Sequence, residues 1–162
     1  MGAGKSAVGA LLAERLGCDF VDTDAMIERT AEASVAELFA REGEAAFRKR
    51  EREAIENLAG GALVVAVGGG AIAQPGARER LLGSGTVVYL RARPETLLRR
   101  IGDCADRPLL HGTSGKARLR RISELLGERS PSYESASIVL ETDALEPSEV
   151  ADAIVDRLRS SL

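Results

Sequence analysis

Residues 1–6, Met1-Gly2-Ala3-Gly4-Lys5-Ser6, are the stretch that decides the fold of this chain. Gly-Lys-Ser at the start of a helix is typical of a phosphate-binding loop, in which backbone N–H groups and the positive end of the helix surround an anion. Lys5 then supplies a cation for the terminal phosphates, and Ser6 is placed to bind a magnesium ion. The first glycine of the complete pattern would lie upstream of Met1, so the motif is cut. A glycine-rich start is also typical of a frayed terminus, and the segments further along must decide between the two.

Length and composition predict one ordinary globular domain. The 162 residues are 44% hydrophobic and 29% charged, which is enough for a full core. The net charge is -3 and the 22 Lys and Arg residues are spread along the chain, so neither nucleic acid nor an anionic membrane is an expected partner. No apolar run approaches the roughly 20 residues of a membrane span and no signal-peptide pattern is present, so we expect a cytoplasmic protein.

The cysteines and the histidine offer no metal or disulfide framework. Cys18 and Cys104 are far apart in the sequence and lack a paired metal-ligand spacing, and His111 is the only histidine. We expect the two cysteines to be small buried apolar residues or bystanders, and His111 to be an exposed loop residue without a catalytic role.

Hydrophobic periodicity predicts alternating helices and strands. Gly17 marks the end of the first helix, and Ser34 with Glu37 three residues later marks the start of another. Residues 107–115 have no clear period. The predicted strands are 19–22, 62–67, 86–90 and 137–141, and the predicted helices are 5–16, 24–29, 34–41, 44–58, 76–82, 95–101, 116–127 and 147–162.

This order indicates an α/β doubly wound sheet with helices on both faces. Residues 62–67 form a continuous apolar run, as expected for a strand that is buried on both faces of a parallel sheet. A phosphate loop normally leaves the C-terminal end of a central strand, and this chain has no residues for that strand before Gly2. Either the start is misassigned or a segment is lost, and we expect the 162-residue polypeptide to be poorly folded or inactive.

Four further motifs follow Gly-Lys-Ser in a specific order. Each of them alone is weak. The Asp pair also suits a helix N-cap, Phe47-Arg48 suits a core Phe beside a surface Arg, and the glycine run suits a loose turn. The four are Asp22-Thr23-Asp24; Gly43-Glu44 with Phe47-Arg48 and Glu51; Gly68-Gly69-Gly70; and Arg107-Pro108-Leu109-Leu110 before Arg129-Ser130-Pro131-Ser132-Tyr133.

Together these motifs resemble the shikimate kinase family of nucleoside monophosphate kinase-like enzymes. The resemblance covers essentially the whole chain. It implies a three-layer P-loop kinase fold whose first central strand is absent here, as a single domain 1–162 with substrate-binding helices at about 24–60 and a mobile lid at about 107–119. It also implies a monomer that uses ATP and Mg²⁺ to phosphorylate the 3-hydroxyl of shikimate.

The resemblance assigns one group of residues to the nucleotide and the metal. Lys5 and Arg107 act on the transferring phosphate, with Arg107 approaching as the lid closes, and Arg100 lies against the adenine. Ser6 binds Mg²⁺, and Asp22 belongs to the surroundings of that ion through water. Residues 142–146 lack an arginine that some relatives carry, which weakens the adenine assignment. The residues implied to hold ATP are Gly2, Ala3, Gly4, Lys5, Ser6, Ala7, Arg100 and Arg107.

A second group is assigned to shikimate. Asp24 holds the acceptor hydroxyl and acts as its base, and alternation along an extended segment would point Asp22 and Asp24 the same way. Arg48 and Arg129 grip the carboxylate, which a guanidinium fork does through two parallel hydrogen bonds. Glu51 either holds Arg48 in place or forms an exposed pair with it. The remaining assignments are Phe39 and Phe47 as pocket walls and Gly68, Gly69 and Gly70 as backbone contacts, with the N–H of Gly69 on the substrate.

Two alternatives remain at this stage. A kinase for another small hydroxy acid, such as gluconate, would share the phosphate loop and the size, but would not be expected to combine the Asp pair, Phe-Arg and the three glycines. A catalytically silent binding protein is the alternative from another class, because of the cut loop and the missing strand.

Overall fold

A computed structural model describes residues 2–58, 61–102, 108–110 and 112–160, and within them helices and parallel strands alternate as the sequence predicts. Arg107, Cys104 and His111 lie outside the described residues, and the rest of the predicted lid 107–119 lies within them. The strands are β1 Asp19–Asp22, β2 Leu63–Ala66, β3 Val88–Arg91 and β4 Ile138–Glu141. The helices are α1 Lys5–Leu16, α2 Thr23–Ala31, α3 Val35–Glu56, α4 Ala77–Ser84, α5 Pro94–Ile101, α6 Gly115–Tyr133 and α7 Pro147–Arg159, with a 3₁₀ turn at Pro108–Leu110.

The strands form two parallel pairs within the described residues. β1 lies beside β2 with Asp22 opposite Ala66, and β3 lies beside β4 with Leu90 opposite Leu140. An apolar cavity of about 550 Å³ separates the pairs and is lined from both β2 and β3. The expectation that residues 62–67 are buried on both faces is therefore wrong for most of the run. Leu63 to Val65 are only half-buried because they border this cavity, and Ala66 alone in β2 is buried.

The largest buried cluster joins α1 and α7 to β3. Val8 and Leu12 on one face of α1 meet Val150 and Ile154 on α7, and Leu90 reaches them from β3. A second cluster between α2 and α3 centres on Ile27, Leu38 and Phe47, and a third joins α5 to α6. Burial of these apolar side chains fixes the helices that carry the polar residues of the site.

Most helices differ from their predicted bounds by only a few residues, and two differ more. The predicted helices 34–41 and 44–58 form one helix, α3, with a kink at Gly43, whose φ of 81° and ψ of 171° are not helical. The predicted helix 116–127 continues to Tyr133 and carries Pro131 inside it, so that Arg129 and Tyr133 are helical. The predicted capping box at Ser34 and Glu37 is confirmed. Among the described residues, no helix combines the length and the apolar character needed to cross a bilayer.

Candidate active site

The glycine-rich start forms a tight loop in front of α1. Gly2 and Gly4 have φ values of 69° and 82°, which favour glycine, and Gly4 is the N-cap of the helix. In the part of the chain that the structure describes, no side chain caps this helix. The first turn, with Lys5, Ser6 and the exposed Ala7, therefore presents a positive helix end that suits a phosphate.

Gly2 and Ala3 connect this loop to the rest of the fold. A Cβ atom on Gly2 would lie 2.6 Å from Cγ1 of Ile101, so only glycine allows the loop to approach the end of α5 this closely. Ala3 borders the cavity between the two strand pairs and packs on the core.

Ser6 and Asp22 meet at the mouth of the loop. The Ser6 hydroxyl donates a hydrogen bond to Oδ2 of Asp22 at 2.5 Å. Oδ1 of the same carboxylate accepts from the backbone N–H groups of Asp24 and Ala25 at 3.0 and 3.3 Å. A hydroxyl oxygen beside a carboxylate oxygen is a donor set that Mg²⁺ prefers, so the residues present fit the expected ion.

Asp24 lies in the first turn of α2, and the expectation of an extended Asp22-Thr23-Asp24 segment is wrong. Asp22 is the last residue of β1 and the N-cap of α2, a common structural role for an Asp before a helix. The Thr23 hydroxyl donates to the carbonyl of Ala66 at 3.2 Å and ties this turn to the end of β2. Asp24 is thereby placed beside Gly68, where a Cβ atom would lie 3.0 Å from its Oδ1.

Glu51 is fully buried next to Asp24. Its Oε2 accepts from Arg48 at 2.6 Å and from the amide of Gln74 at 3.2 Å, while Oε1 has no hydrogen-bond partner among the described residues. A Cβ atom on Gly68 would lie only 1.9 Å from that Oε1. Burial raises the pKa of Glu51, and the charge of Asp24 raises it further, while Arg48 and Arg129 oppose the shift. The alternative of an exposed pair with Arg48 is wrong.

Arg48 is held on four sides. Its guanidinium binds Glu51 on one side and Glu44 at 2.8 Å on the other, and its Cζ lies 5.9 and 5.7 Å from the ring centres of Phe39 and Phe47. Only 14% of its side chain is exposed. Burial lowers the pKa of Arg48, but the hydrogen bonds and charges of the two carboxylates outweigh it and raise the pKa overall.

The glycine run closes the pocket opposite Arg48. A Cβ atom on Gly70 would lie 2.5 Å from Cζ of Arg48, so a glycine is required where the backbone passes the guanidinium. The carbonyl of Gly69 accepts hydrogen bonds from Nη1 of Arg129 at 3.3 Å and from the hydroxyl of Tyr133. The structure thus brings Asp24, Arg48 and Arg129 around the three glycines.

Fewer contacts are seen among the residues assigned to the adenine and the phosphates. Arg100 on α5 donates to the hydroxyl and the carbonyl of Thr142, at 3.1 and 2.5 Å, so its guanidinium faces residues 142–146. Arg107, assigned to the phosphates, lies outside the described residues.

Sequence reasoning missed three hydrogen bonds at this site: Glu44 with Arg48, Gln74 with Glu51, and Tyr133 with the carbonyl of Gly69. Arg129 and Tyr133 are four residues apart, which places them on one helix face, but the helix was expected to end before them. Glu44 has the same spacing from Arg48, and it was named only as part of a motif. Gln74 follows the glycine run without a pattern, and no feature of the sequence marks it.

The chain resembles known proteins over its full length. A family model described as "Shikimate kinase" matches residues 1–159. A shikimate kinase from Chlorobium chlorochromatii is 47% identical over 149 residues, which are 88% of this chain and 78% of that protein, and one from Moorella thermoacetica is 44% identical over 164 residues, covering 100% and 92%. A solved shikimate kinase from Acinetobacter baumannii in complex with shikimate superimposes with a TM-score of 0.93 at 40% identity, covering 99% of this chain and 89% of that one.

Proposed function

The chain belongs to the shikimate kinase family, and from that premise we propose how its residues transfer the γ-phosphate of ATP to the 3-hydroxyl of shikimate. The single observation that carries the proposal is the buried Arg48–Glu51 pair beside Asp24, two residues from the Ser6–Asp22 contact. The Arg48–Glu51 pair and the Ser6–Asp22 pair therefore both lie beside the Asp22–Asp24 turn. That arrangement suits a reaction between an acidic acceptor and a nucleotide.

Arg48 and Arg129 bind the shikimate carboxylate in this proposal. A carboxylate that enters beside the glycine run meets Arg48 across Gly70 and Arg129 beside Gly69. The rings of Phe39 and Phe47 form a wall behind Arg48 and limit its rotation. A pre-positioned guanidinium loses little entropy on binding, which favours a planar carboxylate.

Asp24 orients the acceptor hydroxyl and accepts its proton. Glu51 lies next to Asp24, and the charge of Asp24 contributes to the raised pKa of Glu51. Phosphoryl transfer needs positioning and charge stabilisation more than covalent chemistry. Lys5 and the first turn of α1 neutralise the phosphates, and Ser6 and Asp22 would hold a Mg²⁺ ion that supplies further positive charge to them.

Further assignments rest on the family resemblance alone. We propose that Arg107 acts on the phosphates when a lid at about 107–119 closes, and that Arg100 lies against the adenine. We also propose a monomer located in the cytoplasm, without nucleic-acid or membrane partners. Size-exclusion chromatography with light scattering and cell fractionation test the last statements.

The function is tested by ADP release in the presence of shikimate and Mg²⁺. Asp24→Asn keeps the shape of the side chain and removes its charge, so kcat should fall by about 10²-fold or more while shikimate affinity is largely kept. Arg48→Lys keeps the charge and loses the fork, so the loss should appear mainly as a higher KM for shikimate.

Gluconate serves as the competing substrate. Equal turnover with gluconate and shikimate, or none with shikimate, contradicts the proposed substrate. Near-normal kcat in Asp24→Asn contradicts the role of Asp24 alone.

A further inference from the structure

A diglycine peptide lies at the centre of a β-turn in the proposed shikimate pocket. The N–H of Ala71 donates to the carbonyl of Gly68 at 3.0 Å, which places Gly69 and Gly70 at the two central positions of the turn. Both residues lie outside the left-handed φ region. Among the common β-turns only type I has this property, since types II, I′ and II′ each need a positive φ.

The type I form is not enforced by the two glycines themselves. Types I and II differ mainly by a flip of the central peptide, which reverses the directions of its carbonyl and N–H groups. Glycine enters the positive φ region of a type II turn without steric cost. The orientation of the Gly69–Gly70 peptide must therefore be fixed by contacts from elsewhere in the fold.

Two side chains of α6 supply those contacts. The hydroxyl of Tyr133 and Nη1 of Arg129 both donate to the Gly69 carbonyl. Because the carbonyl and N–H of a trans peptide point to opposite sides, these bonds direct the N–H of Gly70 away from Tyr133. A flipped peptide would lose both of these hydrogen bonds, and the guanidinium of Arg129, which can only donate, would then face an N–H group.

We propose that Tyr133 is a positioning residue that holds the Gly69–Gly70 peptide in its type I orientation. The proposal rests on the proposed function, in which an anionic substrate lies against this turn between Arg48 and Arg129. With the peptide held, the negative charge of the Gly69 carbonyl is engaged by its donors Tyr133 and Arg129, and the N–H of Gly70 is presented on the other side of the turn. With the peptide flipped, the partial negative charge of the carbonyl would repel the carboxylate.

Tyr133 suits this role better than Arg129. The Arg129 bond is long at 3.3 Å, and its guanidinium is also required for the substrate carboxylate. Tyr133 has no charge to share with the substrate, and its ring packs on Tyr89 with centroids 4.9 Å apart at 33°. This packing holds the hydroxyl in place while Arg129 adjusts to the ligand.

Tyr133→Phe tests the proposal, with Tyr89→Phe as the matched control. Both variants keep the stacked rings, and only the first removes the bond to Gly69. Loss of one hydrogen bond should raise the KM and Kd for shikimate about 3- to 10-fold, with kcat and ADP affinity within about twofold of wild type. The backbone amide resonance of Gly70 should shift in Tyr133→Phe and stay in place in Tyr89→Phe.

Two outcomes overturn the proposal. Unchanged shikimate affinity in Tyr133→Phe shows that the hydroxyl does not position the turn. An equal loss in both tyrosine variants shows that ring packing, not the hydrogen bond, is responsible. Wild type and Arg48→Lys are measured first: if wild type does not bind shikimate, the proposed function itself fails, which is a different result from failure of Tyr133 alone.

Discussion

Gly70 is a position where an added methyl group should disturb the substrate-binding arginine directly. Its Cβ would lie 2.5 to 2.6 Å from three atoms of the Arg48 guanidinium, which is itself pinned by Glu44 and Glu51. We expect Gly70→Ala to displace the guanidinium and to raise the KM for shikimate about 10-fold or more, because small displacements of positioning groups are costly. Steady-state kinetics with shikimate and ATP varied in turn measure it.

Gly83→Ala is the matched control. Gly83 lies in α4 with nothing within 4 Å of its added Cβ, so the change should leave the KM unaltered and stabilise the helix by about 0.5–1 kcal/mol. A normal KM for shikimate in Gly70→Ala would show that Arg48 can move aside, and that its contacts do not fix it as argued.

Glu51 should give the protein a pH dependence of a definite sign. Because burial raises the pKa of Glu51 above its ordinary value of 4.5, the folded state binds this proton more tightly than the unfolded state. Its contribution to stability is therefore present below about pH 4.5 and is lost as the pH rises through the folded pKa. We expect the free energy of unfolding of wild type to fall relative to Glu51→Gln between pH 4 and 7, as measured by urea denaturation.

The informative quantity is how the difference in free energy of unfolding between wild type and Glu51→Gln changes with pH. The size of the difference is not informative, because Glu51→Gln also loses the ion pair with Arg48. A difference that rises with pH would mean that Arg48 dominates and that the pKa of Glu51 is lowered in the folded state.

The grouping of the candidate site residues was largely predictable, and their surroundings were not. Asp24, Arg48 and Arg129 follow from motif order, and the structure brings all three to the glycine run. The charge run around Glu51 is typical of a solvated helix face, and periodicity cannot reveal that one carboxylate of the run enters the core. That placement depends on Gly68, seventeen residues further along, whose missing side chain leaves the necessary space.

The start of α2 makes two contacts that can be separated by mutation. Asp22 caps the helix through Oδ1 and contacts Ser6 through Oδ2. Asn caps helices about as well as Asp, so Asp22→Asn should keep the melting temperature, while Asp22→Ala should cost about 1 kcal/mol. Both variants lose the charge near the metal and should need more Mg²⁺ for half-maximal activity. Thermal melts and Mg²⁺ titrations of activity measure the two effects.

An unchanged Mg²⁺ requirement in Asp22→Asn would contradict a role near the metal and leave Asp22 as a helix cap alone. Equal melting temperatures of Asp22→Ala and wild type would instead contradict the capping role.

Helices and strands were predicted well where local signals are strong. α1 has its predicted bounds, and the Ser34 capping box and Pro147 at the start of α7 are confirmed. The end of α6 was missed because Pro131 usually breaks a helix, yet here it lies within three residues of the last one, where few backbone bonds are lost. The continuity of α3 was missed because Gly43 reads as a stop, while the structure has only a kink there.

The arrangement of the strand pairs could not be read from the sequence, because pairing between distant strands is not encoded locally. The cavity between the two pairs resembles a position that a further strand would occupy. β2 and β3 border it from opposite sides, and α1 and α7 contribute Leu12 and Ile154 to its lining. Leu63, Val64 and Val65 remain half-exposed towards it, although β-branched and aliphatic side chains gain most from full burial.

The last prediction follows from this cavity. Ala3 lies on its lining, so an extension at the N-terminus can enter it directly and lie between β2 and β3. We expect an added apolar strand of about five or six residues ending in glycine to pair with both edges and fill the space. The melting temperature should rise by roughly 5–10 °C, because about 1 kcal/mol of added stability raises it by about 2–4 °C in a chain of this size. ADP affinity should also increase, because the strand would anchor the phosphate loop.

Melting curves and ADP titrations of three proteins measure the effect: the 162-residue chain, the chain with the apolar extension, and the chain with a Gly/Ser extension of equal length. The polar extension has the same length but cannot bury apolar surface, so it should melt like the chain without an extension. If the apolar extension changes neither the melting temperature nor ADP affinity, the cavity does not accept a strand. The apolar surfaces of β2 and β3 would then require another explanation, such as a bound apolar ligand.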